Sequence, residues 1–132
     1  MAQIRTPLGR ARGLGASKTG VGHFLAQRVT ACALVLLVIW GAFSALALSH
    51  AGFDQASDWL RNPLNAGLVS LLAFAGFWHM QLGMRTIIED YFQTASTKAA
   101  LLLANVFVTY LGGALTIISI LKVAFSSPGA SV

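Results

Sequence analysis

Three long stretches of this chain carry no charged residue: between Arg28 and Asp54, between Arg61 and Arg85, and between Lys98 and Lys122. Each is longer than the ~20 residues an α-helix needs to cross ~30 Å of hydrocarbon. Charged residues are only 10% of the sequence and hydrophobic ones 56%, whereas a soluble domain is about a quarter charged. The pattern predicts an all-α membrane protein with three transmembrane helices, over about 24–49, 64–92 and 98–124. Its length of 132 residues allows one domain at most. Residues 1–22 then form a basic N-terminal arm, 23–125 the three-helix membrane domain, and 126–132 a short tail. The arm is rich in Arg, Gly, Ser and Thr and contains no acid, so it is expected to be extended unless a partner orders it. Such a start also describes an organelle transit peptide, but no long apolar face accompanies the arginines.

The formal charge of +5 reads as topology rather than as a nucleic-acid footprint, because nothing in the chain resembles a nucleic-acid module. Arg5, Arg10, Arg12, Lys18, Arg28, Arg85 and Lys98 fall on one side of the three spans, and only Arg61 and Lys122 on the other. The positive-inside rule puts the first side, and the N-terminus, in the cytoplasm (or matrix), and the C-terminus on the periplasmic side. The connection after the first span holds Asp54, Asp58, Trp59 and Arg61. Ser57 to Leu60 can form a short interfacial helix there, with Trp59 at the water boundary. Cys32 is the single cysteine, so no disulfide forms within this sequence and a small buried apolar role is expected. Gly112-Gly113 in the third span reads as close helix packing.

Within the second span, His79 breaks an apolar run. An ionisable residue at that depth is costly and marks a functional site by default. At ~100° per residue, Thr86 and Asp90 lie within roughly 20° of His79 around the helix, and Gly83 within about 40°. Tyr91 sits beside that stripe, about 18 Å along the axis. Two readings of His79 stand: an imidazole hydrogen-bonded to a carbonyl or to a Ser/Thr of a neighbouring helix, or an axial ligand of haem iron. No second His lies deep in a span, so the haem reading requires a partner subunit or a second copy to supply the other ligand. Asp90 and Tyr91 are either an ordinary interfacial pair or part of a quinone site, in which the phenol donates to a quinone carbonyl and the carboxylate serves proton uptake. Arg28 is either a snorkelling anchor or the partner of an anionic group at headgroup depth. Arg85 and Glu89 are spaced to pair with each other.

His79, Gly83, Asp90 and Tyr91, spaced H-x3-G-x6-D-Y, resemble the small hydrophobic anchor subunits of succinate dehydrogenase, respiratory complex II. The sequence Arg28-Val29-Thr30-Ala31 is similar to the R-x-T-A element that opens their first helix. The likeness covers nearly the whole chain. It implies that His79 is an axial ligand of haem b opposite a His of the cytochrome b subunit, and that Arg28 approaches a haem propionate. It also implies that Tyr91 hydrogen-bonds ubiquinone and that Asp90 supports that pocket by pairing with an Arg of the partner. The implied partners are the cytochrome b, iron–sulfur and flavoprotein subunits together with membrane lipid. Such a chain is a non-catalytic anchor within an enzyme complex, in a bacterial inner membrane or alternatively a mitochondrial one. Menaquinone in place of ubiquinone stays open. So does a different class of role, a non-redox three-helix scaffold or assembly protein with a structural His.

Overall fold

The computed structural model describes Leu8 and residues 20–126. The expectations for the basic arm and the tail therefore fall almost wholly outside the described residues. Among the described residues four long stretches of helix follow one another: α1 over Gly20–Ala47, α2 over Phe53–Arg61, α3 over Pro63–Tyr91 and α4 over Ala95–Ala124. α1, α3 and α4 are each long and apolar enough to cross a membrane. At ~1.5 Å per residue each reaches on the order of 40 Å, more than the hydrocarbon thickness.

Local chemistry sets the boundaries. The Asn62 side chain accepts from the Leu64 amide at 2.9 Å while Pro63 occupies the first turn of α3, a position where its missing N–H costs nothing. α3 ends where Phe92 turns extended. Thr94 is the N-cap of α4, and its carbonyl accepts from the Lys98 amide at 2.9 Å, so α4 starts ahead of the expected Lys98. α1 likewise begins at Gly20, about a turn before the expected Phe24, because no proline interrupts Gly20 to His23. It stops at Ala47, where Ser49 folds back with both its amide and its hydroxyl on the Leu46 carbonyl.

The interfacial helix after the first span is present and longer than the Ser57–Leu60 segment. α2 clips that end of the molecule together. Trp59 stacks on Trp40 of α1 with ring centres 5.9 Å apart. Arg61 pairs with Asp58 and donates from Nε to the Ser126 carbonyl at 3.1 Å, just past α4.

α3 is the middle helix. It packs against α1 on one side and α4 on the other, and α1 and α4 make no close approach among the described residues. The three spans therefore form a row. Small residues make both seams tight: a Cβ added at Gly41 of α1 would lie 3.3 Å from Leu72 of α3. Gly112 and Gly113 seat the Phe77 ring, and added Cβ atoms there would lie 3.0 and 3.4 Å from it, the close packing that the paired glycines implied. Cys32, expected to be buried, is exposed. A row one helix thick leaves the outer side of α1 uncovered.

Overfilling the α3–α4 seam should be costly. Gly112→Val is expected to destabilise the detergent-solubilised protein by about 1–3 kcal/mol, read as a lower thermal midpoint. Adding Phe77→Leu should recover part of the loss, because the clash is with that ring; strictly additive losses would show that the ring is not the neighbour that matters.

Candidate functional site

α1 and α3 run antiparallel, which brings the early part of α1 beside the later part of α3. Thr30 lies about as far from the start of α1 as His79 lies from the end of α3. The two meet: Thr30 Oγ1 is 3.0 Å from His79 Nδ1. Thr30 is buried, and its hydroxyl also lies 2.8 Å from the Ala26 carbonyl and 3.1 Å from that of Gln27. His79 itself is half-buried, and its Nε2 has no hydrogen-bond partner among the described residues. The observed contact is the one that a structural histidine would make to a neighbouring Thr. It occupies one ring nitrogen and leaves the other free, so it satisfies that reading without excluding ligation.

The rest of the stripe is less uniform than its angular spacing suggested. The gap at Gly83 faces Gln27 of α1, whose Nε2 would lie 4.0 Å from an added Cβ. The Thr86 hydroxyl donates to the Leu82 carbonyl of its own helix at 3.2 Å. One turn beyond Gln27 toward the start of α1, His23 has a buried Nε2 with no partner among the described residues.

Asp90 and Tyr91 sit at the end of α3, both exposed, with Tyr91 at 78%. Neither makes a side-chain hydrogen bond among the described residues. They are not brought to His79, being separated from it by nearly the length of the intervening helix. Arg85 Nε donates to Glu89 at 2.8 Å, the one-turn pair that their spacing implied. Lys98 Nζ donates to the Glu89 carbonyl at 2.8 Å, satisfying one of the carbonyls that a helix end leaves open.

Arg28 is exposed, with its guanidinium 5.1 Å over the Phe24 ring, a cation–π arrangement. It lies roughly 160° around α1 from Thr30. It therefore points away from the side of α1 that meets His79, and within this chain the two candidates are not neighbours.

Two polar residues of the interior drew no notice in the sequence. Thr30 entered only as a letter of the R-x-T-A element, although matching its depth to that of His79 across an antiparallel pair would have found it. Thr109 of α4 is buried with an unpartnered hydroxyl, beside a groove of about 380 Å³ between α3 and α4 that also takes in Phe77, Trp78 and Gln81. That groove lies on the far side of α3 from Thr30 and His79.

Comparison with known proteins bears on the whole arrangement. The family model described as succinate dehydrogenase/fumarate reductase transmembrane subunit matches residues 2–113. A succinate dehydrogenase hydrophobic membrane anchor subunit from Rickettsia bellii (strain RML369-C) is 30% identical over 101 residues, covering 76% of this chain and 81% of the relative. The subunit of the same name from Paracoccus denitrificans is 32% identical over 105 residues, covering 77% of this chain and 79% of the relative. With three apolar spans and a match over most of its length, the chain belongs to the succinate dehydrogenase/fumarate reductase transmembrane subunit family, among the hydrophobic membrane anchor subunits.

Proposed function

We propose that this multi-pass chain anchors a succinate:ubiquinone oxidoreductase in a bacterial inner membrane, sharing haem b with a cytochrome b subunit through His79 and contributing Tyr91 and Asp90 to the ubiquinone site. The observation that carries the haem reading is the imidazole of His79, held by Thr30 at Nδ1 and free at Nε2. The residues fit the group. Among the described residues no three His, Cys, Asp or Glu side chains converge, so His79 suits an iron that brings most of its ligands in its own macrocycle. A row of helices that leaves its faces uncovered suits a site completed by a second subunit. When bound, haem b supplies a one-electron redox centre within the membrane.

The bacterial relatives favour the inner membrane over the mitochondrial alternative. The Lys/Arg asymmetry supports a cytoplasmic N-terminus and a cytoplasmic Tyr91 end of α3, where the flavoprotein and iron–sulfur subunits would dock. Electrons from succinate would arrive through the iron–sulfur subunit, and this chain carries out no dehydrogenation. At the Tyr91 end, a phenol and a carboxylate without hydrogen-bond partners among the described residues are available to a quinone headgroup and to an Arg of the partner. The Tyr91 hydroxyl donates to a quinone carbonyl, and Asp90 keeps a proton acceptor at the water boundary. Arg28, exposed on the side of α1 away from His79, would be the residue to hold a haem propionate. A non-redox scaffold with a structural His uses the same Thr30 contact and gives no use for the free Nε2.

Three outcomes test this reading in the purified complex. His79→Ala is expected to remove or perturb the low-spin haem b spectrum while the subunit remains inserted; an unchanged spectrum would sink the ligand assignment. Arg28→Leu should lower the haem midpoint potential, since a positive charge that favours the reduced haem is lost. A redox titration matching wild type would leave Arg28 as an interfacial anchor. Tyr91→Phe keeps the ring and removes one donor, a loss of about 1–3 kcal/mol or roughly tenfold or more in ubiquinone reduction. Succinate oxidation with an artificial acceptor upstream should stay near wild type, and wild-type activity in both assays would remove Tyr91 from the quinone site.

A further inference from the structure

Thr30 Oγ1 carries one proton and has three acceptor-capable neighbours: the Ala26 carbonyl at 2.8 Å, the Gln27 carbonyl at 3.1 Å and His79 Nδ1 at 3.0 Å. Carbonyl oxygens accept and never donate. If the hydroxyl proton pointed at His79, the lone pairs of Oγ1 would face two carbonyl oxygens at close range in a half-dry seam, with nothing between them. If it points at the Ala26 carbonyl, a lone pair of Oγ1 is left facing Nδ1, and the 3.0 Å contact is attractive only when Nδ1 bears the hydrogen. A neutral imidazole has one N–H. Its lone pair then sits on Nε2, the nitrogen with no partner among the described residues.

We infer that Thr30 is a positioning residue that holds His79 in its Nδ1–H tautomer and fixes the ring plane, so that Nε2 presents its lone pair to the iron. The inference rests on the haem reading of His79 and adds to it the residue that prepares the ligand. Metal-bound histidines ordinarily donate their second ring N–H to an oxygen acceptor, which fixes the tautomer and makes the ligand more basic. The acceptor here is a hydroxyl whose own proton is committed to its helix backbone, and that commitment sets the direction of the bond. Burial of Thr30 keeps water from replacing it.

The test uses the intact detergent-solubilised complex with Thr30→Val, close in shape but without the hydroxyl, and Thr30→Ser, which keeps it. Haem loss to excess apomyoglobin and the haem midpoint potential are measured in each. Thr30→Val should lose haem roughly tenfold or more faster, in line with the affinity usually lost when an outer-shell partner is removed. It should also raise the midpoint potential, because a less basic ligand stabilises ferric iron less. Thr30→Ser should stay close to wild type in both. Wild-type haem loss and potential in Thr30→Val overturn the inference, as does a Thr30→Ser complex that shifts as far as Thr30→Val, since packing alone would then explain the effect. If Thr30→Val prevents assembly, the Ser variant decides by the same measurements: wild-type values support the inference and a full shift overturns it. His79→Ala measured alongside separates the two levels. Low-spin haem retained in that variant refutes the ligand reading itself, whereas its loss together with an unaffected Thr30→Val refutes only the role of Thr30.

Discussion

Hydrocarbon offers no hydrogen bond, so every polar group within the membrane must find its partner in the protein. The backbone solves this by making α1, α3 and α4 helical throughout their apolar lengths. Several intramembrane hydroxyls solve it locally: Thr86, Thr116 and Ser119 each donate to the carbonyl one turn earlier, at 3.2, 2.8 and 2.8 Å, whereas those of Ser70 and Thr109 are buried without a partner among the described residues. An imidazole in a helix has no such local solution. His79 must be met from another helix, and the register of α1 against α3 is the one that puts Thr30 at its depth.

The same demand for close contact explains why α3 is central. Without a hydrophobic drive between helices in lipid, seams form where backbones can approach and side chains interlock. Both seams of this chain are of that kind, with Gly41 against Leu72 on one side and Gly112-Gly113 around Phe77 on the other. The product is a row rather than a closed bundle. Leu36, Phe43, Phe107 and Tyr110 are left well exposed on α1 and α4, a surface suited to lipid tails or to the helices of a partner subunit.

The two ends of the row are built differently. At the α2 end, the Trp40–Trp59 stack and the reach of Arg61 to Ser126 bind α1, α2 and the end of α4 to one another. At the Tyr91 end, Lys98 bridges the junction of α3 and α4, and the Asp90 and Tyr91 side chains make no hydrogen bond among the described residues.

The spans, their number and the singular position of His79 were legible in the residues, because an uncharged stretch longer than a bilayer and a lone imidazole within it admit few other structures. The Arg85–Glu89 pair was legible for a similar reason, since neighbours one turn apart depend on a single helix. What the sequence left undecided lies between helices. The gap at Gly83 looked vacant along α3 and is faced by Gln27 of α1. Which side of α1 meets α3 was not legible either: Thr30 faces His79, and Arg28 lies on the opposite side of α1. Cys32 looked like a core residue and is exposed. Periodicity within a helix says which residues share a face, but not which face a neighbouring helix covers or at what register. That choice was made by glycine-lined seams and by one hydrogen bond between Thr30 and His79, and only the tertiary structure contains either.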